Sequence, residues 1–144
     1  MILNIHCDGS CYHVDGRMGM GVAFFYNDSE KPFHTIAKGG DHLGSNNEAE
    51  YLAVKLAIAK LLTFKRNITG AVIHSDSELV INQLKGLYRI NCPLFEEINH
   101  QIFNMLDYIK GKSIEFVWVP RTHPRQKVAD KLSKKANPYF NENK

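Results

Sequence analysis

Leu3, Ile5 and Cys7 alternate with Asn4, His6 and Asp8, the two-residue period of a strand, which is expected to end at Asp8-Gly9-Ser10. Gly19-Met20-Gly21 leads into the apolar run Val22 to Tyr26, closed by the turn-prone Asn27-Asp28-Ser29, and a third strand is expected from Pro32 to about Lys38. Three strand signals joined by short loops predict an antiparallel meander. At Ser45 the period changes. Ser45, Asn46 and Asn47 can each accept a backbone N–H at a helix start, and the largely apolar run from Ala49 to Leu62 supplies the helix body.

The second half repeats the alternation of element types. Ala71 to Ser75 is a short apolar strand ending at Asp76, and Ser77 to Lys85 predicts a short helix stopped by Gly86. Pro93 opens a helix in which Phe95, Ile98, Ile102, Met105 and Ile109 recur at three- and four-residue steps until Gly111. Ile114 to Val119 forms a further strand, with Trp118 expected in the core, and Pro120 to Pro124 connects it to a last helix from Gln126 to Ala136. The order βββαβααβα predicts an α/β fold with a mixed sheet, in one domain over residues 1–137 with a polar tail at 138–144.

Composition narrows the class only slightly. A chain of 144 residues, 44% hydrophobic, is the size of one ordinary domain and can bury a core without disulfide or metal staples. A formal charge of +3 is too mild to diagnose nucleic-acid binding, although it eases approach to a polyanion. Cys7, Cys11 and Cys92 form no Cys-x-x-Cys pair and leave an odd number, which fits a reducing compartment, so a cytoplasmic protein is expected. No basic leader precedes His6 and Asp8, and no apolar run approaches the ~20 residues that span a bilayer. Neither secretion nor membrane insertion is indicated, and a monomer is expected.

The chemistry lies in acids at element ends. If the strands ending at Asp8 and Asp76 are neighbours, their carboxylates meet at one edge of the sheet, and such a pair calls for a cation, a shared proton or an arginine between them. A divalent metal is the simplest answer, with Glu48 or Glu50 from the first long helix and Asp130 from the last completing an all-oxygen site for Mg²⁺ or Mn²⁺. At ~100° per residue Glu48 and Glu50 point roughly 200° apart, so one site takes only one of them. Glu50 shares its face with Ala53, Val54 and Ala57, small residues suited to packing on a sheet, which favours Glu50. Each acid alone has a plainer reading: Asp8 as a turn residue, Asp76 as a helix cap, Asp130 as an acid settled by the helix dipole or its lysine neighbours.

Taken together, Asp8-Gly9-Ser10-Cys11, Gly19-x-Gly21, Ser45-Asn46-Asn47-x-Ala49-Glu50, Ser75-Asp76-Ser77 and Val128-Ala129-Asp130-Lys131-Leu132 resemble, in order and over nearly the whole chain, a type 1 ribonuclease H. The resemblance implies a ribonuclease H-like fold whose five-stranded sheet has three antiparallel strands and then two parallel ones. It also implies hydrolysis of the RNA strand of RNA–DNA hybrids by two Mg²⁺ or Mn²⁺ ions, giving 5′-phosphate and 3′-hydroxyl ends. The family's metal ligands fall on Asp8, Glu50, Asp76 and Asp130. By family position Gly9, Ser10, Cys11, Asn46 and Glu50 belong to the RNA side, and Ser45 and Asn47 to the DNA strand. The alternatives are a catalytically silent hybrid- or duplex-binding module, against which the four intact acids argue, and another nuclease of the same fold.

The chain also departs from the family. Many relatives carry an auxiliary histidine between the last strand and the last helix; here Arg121 and His123 both compete for that role, with a plain loop histidine as the alternative for His123. Gln126 stands where relatives commonly have Asn, and Glu78 where they have Gln. The long basic insertion of some relatives is missing between Lys85 and Pro93, which shifts binding toward Lys85 and Arg89. Lys127, Lys131, Lys134 and Lys135 read as a solvated face, with a phosphate track as the alternative. His6 and His74, two residues before the two aspartates, are expected to be packing neighbours, and Cys7 and Cys92 small buried hydrophobes.

Overall fold

β1 (Ile2–Cys11), β2 (Met18–Phe25), β3 (His34–Gly39), β4 (Gly70–Ser75) and β5 (Ser113–Trp118) form one sheet in the order β3-β2-β1-β4-β5 in a computed structural model of the protein. The structure describes residues 1–12, 14–64 and 68–137, so the expected tail at 138–144 lies outside the described residues. β1, β2 and β3 pair antiparallel, whereas β1, β4 and β5 pair parallel, as the change from meander to alternating strands and helices predicts.

The helices α1 (Asn46–Leu61), α2 (Glu78–Leu84), α3 (Pro93–Leu106) and α4 (Pro124–Ala136) cover the sheet. Leu3, Ile5 and Cys7, on one face of β1, join Ala49, Ala53, Val54, Ala57 and Ile58 of α1 in the main core. His6, Asp8 and Ser10 face the other way, toward α4. Two glycines let these helices come close. A Cβ on Gly9 would fall 2.3 Å from the Ala49 carbonyl carbon, and one on Gly21 would fall 2.3 Å from the Ala129 oxygen, so any side chain at either position would push a helix off the sheet. Ser45 Oγ accepts the Glu48 N–H at 3.2 Å, the expected N-cap, a contact of about 1 kcal/mol in general.

Expectations about β1, β5 and Cys92 need correction. β1 does not end at Asp8: it continues to Cys11 because β2 runs beside it there, pairing Asp8 with Gly21 and Cys11 with Met18. What ends is the pairing with β4, after Cys7 and Ser75. Trp118 is not core. It closes β5, an edge strand whose one partner among the described residues is β4, and stands 47% exposed with its Nε1 donating to the Asp76 carbonyl at 3.2 Å. Cys92 is half-buried, at the N-cap of α3, while Cys7 is fully buried as expected.

Candidate active site

β1 and β4 stay in register through Cys7 and Ser75 and then part, so Asp8 and Asp76 are the first residues beyond the split. Glu50 lies across it. Its Oε1 accepts the Gly9 N–H at 3.1 Å and its Oε2 accepts the Ser75 hydroxyl at 3.1 Å, which fixes both oxygens against the two strands. The approach of α1 to Gly9 makes this reach possible. Ser77, not Asp76, caps α2, its Oγ accepting the Val80 N–H at 3.2 Å, so the plainer reading of Asp76 does not apply.

The carboxylates of Asp8, Glu50 and Asp76 offer oxygens that all lie within 4.8 Å of one another. All three are largely withdrawn from solvent, and Asp76 Oδ2 has no hydrogen-bond partner. The Arg121 guanidinium stands 3.5 Å from that oxygen on a side chain that is 82% exposed. Burial, then the Glu50 and Asp76 charges, hold the Asp8 carboxyl far above the usual carboxylate range. Burial pushes Glu50 up to about 7, with the Asp76 charge adding to it against the hydrogen bonds from Asp8, Gly9 and Ser75. Three carboxylates this close, with Asp8 and Glu50 held toward their neutral forms and Asp76 Oδ2 accepting no hydrogen bond, form a donor set that fits a hard divalent cation. Asp130, in the middle of α4, reaches Asp8 by a side-chain hydrogen bond and pairs with Lys134 Nζ at 3.3 Å, flanking the group of three.

A family model for RNase H matches residues 2–137. The chain belongs to the ribonuclease H family. Ribonuclease H of Helicobacter acinonychis (strain Sheeba) is 31% identical, with 92% of this chain and 90% of the relative covered. The uncharacterized protein YpeP of Bacillus subtilis (strain 168) is 27% identical over 75% of this chain, which spans 48% of that relative's length. Among solved structures, LC11-RNase H1, isolated from compost and captured in complex with an RNA/DNA hybrid, has a TM-score of 0.84 at 25% identity, with 95% of this chain and 97% of that one covered.

The remaining candidates of this ribonuclease H-family chain separate by place. Cys11 Sγ donates to the Gly44 carbonyl at 3.4 Å, which joins the end of β1 to the exposed turn of Ser45, Asn46 and Asn47 in one rim. Ser10 is turned inward, its hydroxyl donating to the Ser133 carbonyl at 3.2 Å and accepting from Asn137 Nδ2 at 3.2 Å. His123 caps α4, its Nδ1 accepting the Arg125 N–H at 3.2 Å, and its ring stacks on His6 at 5.0 Å. His6 in turn stacks on His74 at 4.2 Å, as the strand register requires. Glu48 is buried outside the group of three acids, against His42.

Two residues named from the sequence gain roles that the chain alone does not assign. Gln126 is fully buried; its Nε2 donates to the Cys7 carbonyl at 2.7 Å and its Oε1 meets His6 Nδ1 at 3.0 Å, locking α4 to β1 one residue before Asp8. Ser75 orients Glu50 and also accepts the Ser77 N–H at 3.1 Å. The Ser75-Asp76-Ser77 word held the signal for Ser75; nothing local distinguishes Gln126 from a surface helix residue.

Proposed function

We propose that residues 1–137 form an endonuclease that hydrolyses the RNA strand of RNA–DNA hybrids, leaving 5′-phosphate and 3′-hydroxyl ends, and that it works in the cytoplasm as a monomer. The observation that carries this reading is the buried group of Asp8, Glu50 and Asp76 at the split of two parallel strands, in a chain of the ribonuclease H family. The complex of LC11-RNase H1 with an RNA/DNA hybrid supports the choice of substrate.

Asp8, Glu50 and Asp76, with Asp130 at the flank, would hold two divalent ions, Mg²⁺ or Mn²⁺. Such ions supply Lewis-acid stabilisation of the phosphoryl oxygens and an activated water for in-line attack. Gly9 and Ser75 keep both Glu50 oxygens pointed at the split, so the carboxylate enters its role already oriented. The exposed Ser45, Asn46 and Asn47 would offer side chains and helix N–H groups to the nucleic acid, and with Gly9 and Cys11, and with Ser10 whose hydroxyl is turned inward, would make the rim that distinguishes ribose from deoxyribose. Arg121, 3.5 Å from Asp76 Oδ2, would supply the auxiliary basic side chain.

The test is incubation of the protein with a labelled RNA–DNA hybrid, the matching single-stranded RNA and duplex RNA, in Mg²⁺, Mn²⁺ or EDTA. Internal cleavage of the hybrid's RNA strand in either metal, abolished by EDTA, is the expected result. Cleavage of single-stranded RNA in EDTA would overturn the assignment.

A further inference from the structure

Glu48 has no place among the metal ligands, yet its side chain is only 5% exposed. A buried carboxylate is costly unless a cation meets it, and the group that meets Glu48 is His42 Nε2. On the other side of the same ring, His42 Nδ1 stands 2.5 Å from Asp41 Oδ1. Ionised carboxylates only accept hydrogen bonds, so the two contacts together need both ring nitrogens to donate, and only the imidazolium does that. The hydrogen bonds to Glu48 and then Asp41 hold the ring's pKa above its ordinary value. Among the described residues the other charges near this cluster are Lys38 at the end of β3, which acts on Asp41, Lys55 of α1, which lines the same cavity as Asp41 and His42, and Asp15, which is paired with Arg17 and with Glu48 acts on the Cys11 thiol.

The chain around this ion pair is the rim of the proposed site. The loop carrying His42 is tied to the β1–β2 hairpin by the Gly40 N–H to the Met18 carbonyl at 2.9 Å and the Gly44 N–H to the Gly16 carbonyl at 2.8 Å. Glu48 holds the start of α1 from both ends. Its backbone N–H binds Ser45 Oγ, and its side chain binds the loop. Ser45, Asn46 and Asn47 are the exposed residues enclosed between those two anchors.

We propose that His42 and Glu48 are positioning residues, an ionic latch that holds the Ser45–Asn47 turn in the shape that grips the nucleic acid. The occupant of that rim, an RNA–DNA hybrid, rests on the function proposed above. When His42 loses its proton, buried Glu48 loses its compensating charge and one carboxylate loses its donor. The turn loosens and grip weakens, while Glu50, roughly 200° round the helix, keeps its contacts.

Steady-state hybrid cleavage from pH 6 to 9 tests this with the wild type, Glu48→Gln, His42→Ala and the double variant. Each single variant is expected to raise KM about tenfold with kcat within about twofold, the double variant to be no worse than either single, and the wild-type rise of KM with pH to vanish in all three. A raised KM in His42→Ala alone would mean that the histidine touches phosphate itself, and would overturn the latch. Unchanged KM in both singles, or a fall confined to kcat, would overturn it too. Because Glu48→Gln keeps the side chain's shape, faster amide exchange at Asn46 and Asn47 in that variant, with an unchanged melting temperature, separates a loosened turn from a damaged fold. Anisotropy with labelled hybrid in Ca²⁺ separates the two claims: a wild type that binds in Ca²⁺ but does not cut in Mg²⁺ or Mn²⁺ overturns hydrolysis, and the latch then stands or falls on the same pattern in Kd. A wild type that neither binds nor cuts overturns both.

Discussion

Two buried polar clusters occupy the same pair of strands, one strand repeat apart, and burial neutralises them in opposite directions. At the split are Asp8 and Asp76 with Glu50; two residues back are His6 and His74, register partners with rings stacked at 4.2 Å. Burial and then the neighbouring His74 push His6 down to about 3, and burial and then His123 push His74 down to about 4, whereas Asp8 and Glu50 are pushed up. The clusters differ in what can relieve them. The histidines are closed in by Phe25, which meets the His6 ring edge-on at 5.6 Å, and find neutral partners in Gln126 and Asn4. The acids open toward the Arg121 side of the split, where a cation can reach them. The lesson is electrostatic: imidazolium rings behind the acids would compensate them from inside, and a neutral histidine layer leaves their charge to be met by an ion from outside.

Removing one acid should therefore harm activity and help the metal-free fold. Asp8→Asn is expected to lower hybrid cleavage by about 10³-fold, on the scale of losing a principal electrostatic group. It should raise the melting temperature in EDTA, by roughly 3–5 °C for each ~1 kcal/mol of repulsion relieved. A variant with lost activity and a lower melting temperature would show that the acids are not a strained set.

Adding the ion should reverse that strain, and the size of the effect should follow pH. Asp8 and Glu50 have raised folded-state pKa values, so their favourable contribution to stability is present below the unfolded values, near 4, and is lost as pH rises, through about 7 for Glu50. Mg²⁺ displaces those protons, so its thermal stabilisation should be larger at pH 8 than at pH 6, reaching ~2.7 kcal/mol at a hundred times its dissociation constant. Thermal melts with and without Mg²⁺ at the two pH values measure it. Equal shifts would mean that binding releases no proton.

The acids of this comparison were readable in the chain, because strand period and helix-start signals place Asp8, Asp76 and Glu50 at element ends, and helix angle separates Glu50 from Glu48. What could not be read depends on partners distant in the chain. That β1 runs on past Asp8 is decided by β2, and that Trp118 is exposed is decided by the edge position of β5, which its apolar run does not reveal. The angle between the glutamates turned Glu48 from the metals but did not say that the loop with His42 covers it. The last helix starts at Pro124, two residues earlier than expected from Gln126, and this makes His123 a cap; proline's preference for the first helical turn carried that signal.

The histidine layer should show itself in acid. His74 has a lowered folded-state pKa, so the unfolded chain takes up its proton first and stability falls as pH drops from about 6.5 toward about 4. His74→Phe keeps a stacked ring and removes the titration. The wild type should therefore lose on the order of 1–2 kcal/mol more than His74→Phe between pH 7 and pH 4 in urea unfolding, a figure already reduced for the ring's partial exposure. The difference between the two proteins cancels the opposing contribution of the carboxylates. Parallel pH curves would show that His74 is protonated in the folded protein.

The smallest effect discriminates Arg121 from His123, one beside each cluster. Arg121 contacts Asp76 from a side chain that is mostly in water, so Arg121→Ala should slow hybrid cleavage by only about three- to tenfold and leave the melting temperature unchanged. His123 belongs to the histidine layer and holds the Arg125 N–H at the start of α4, so His123→Ala should cost about 1 kcal/mol of stability, as for lost helix caps generally, with kcat within about twofold. Rate and urea unfolding measured on both variants decide it. The reverse pattern, a stable His123→Ala that cuts slowly beside an Arg121→Ala that cuts normally, would move the auxiliary role to the histidine and join the two layers into one site.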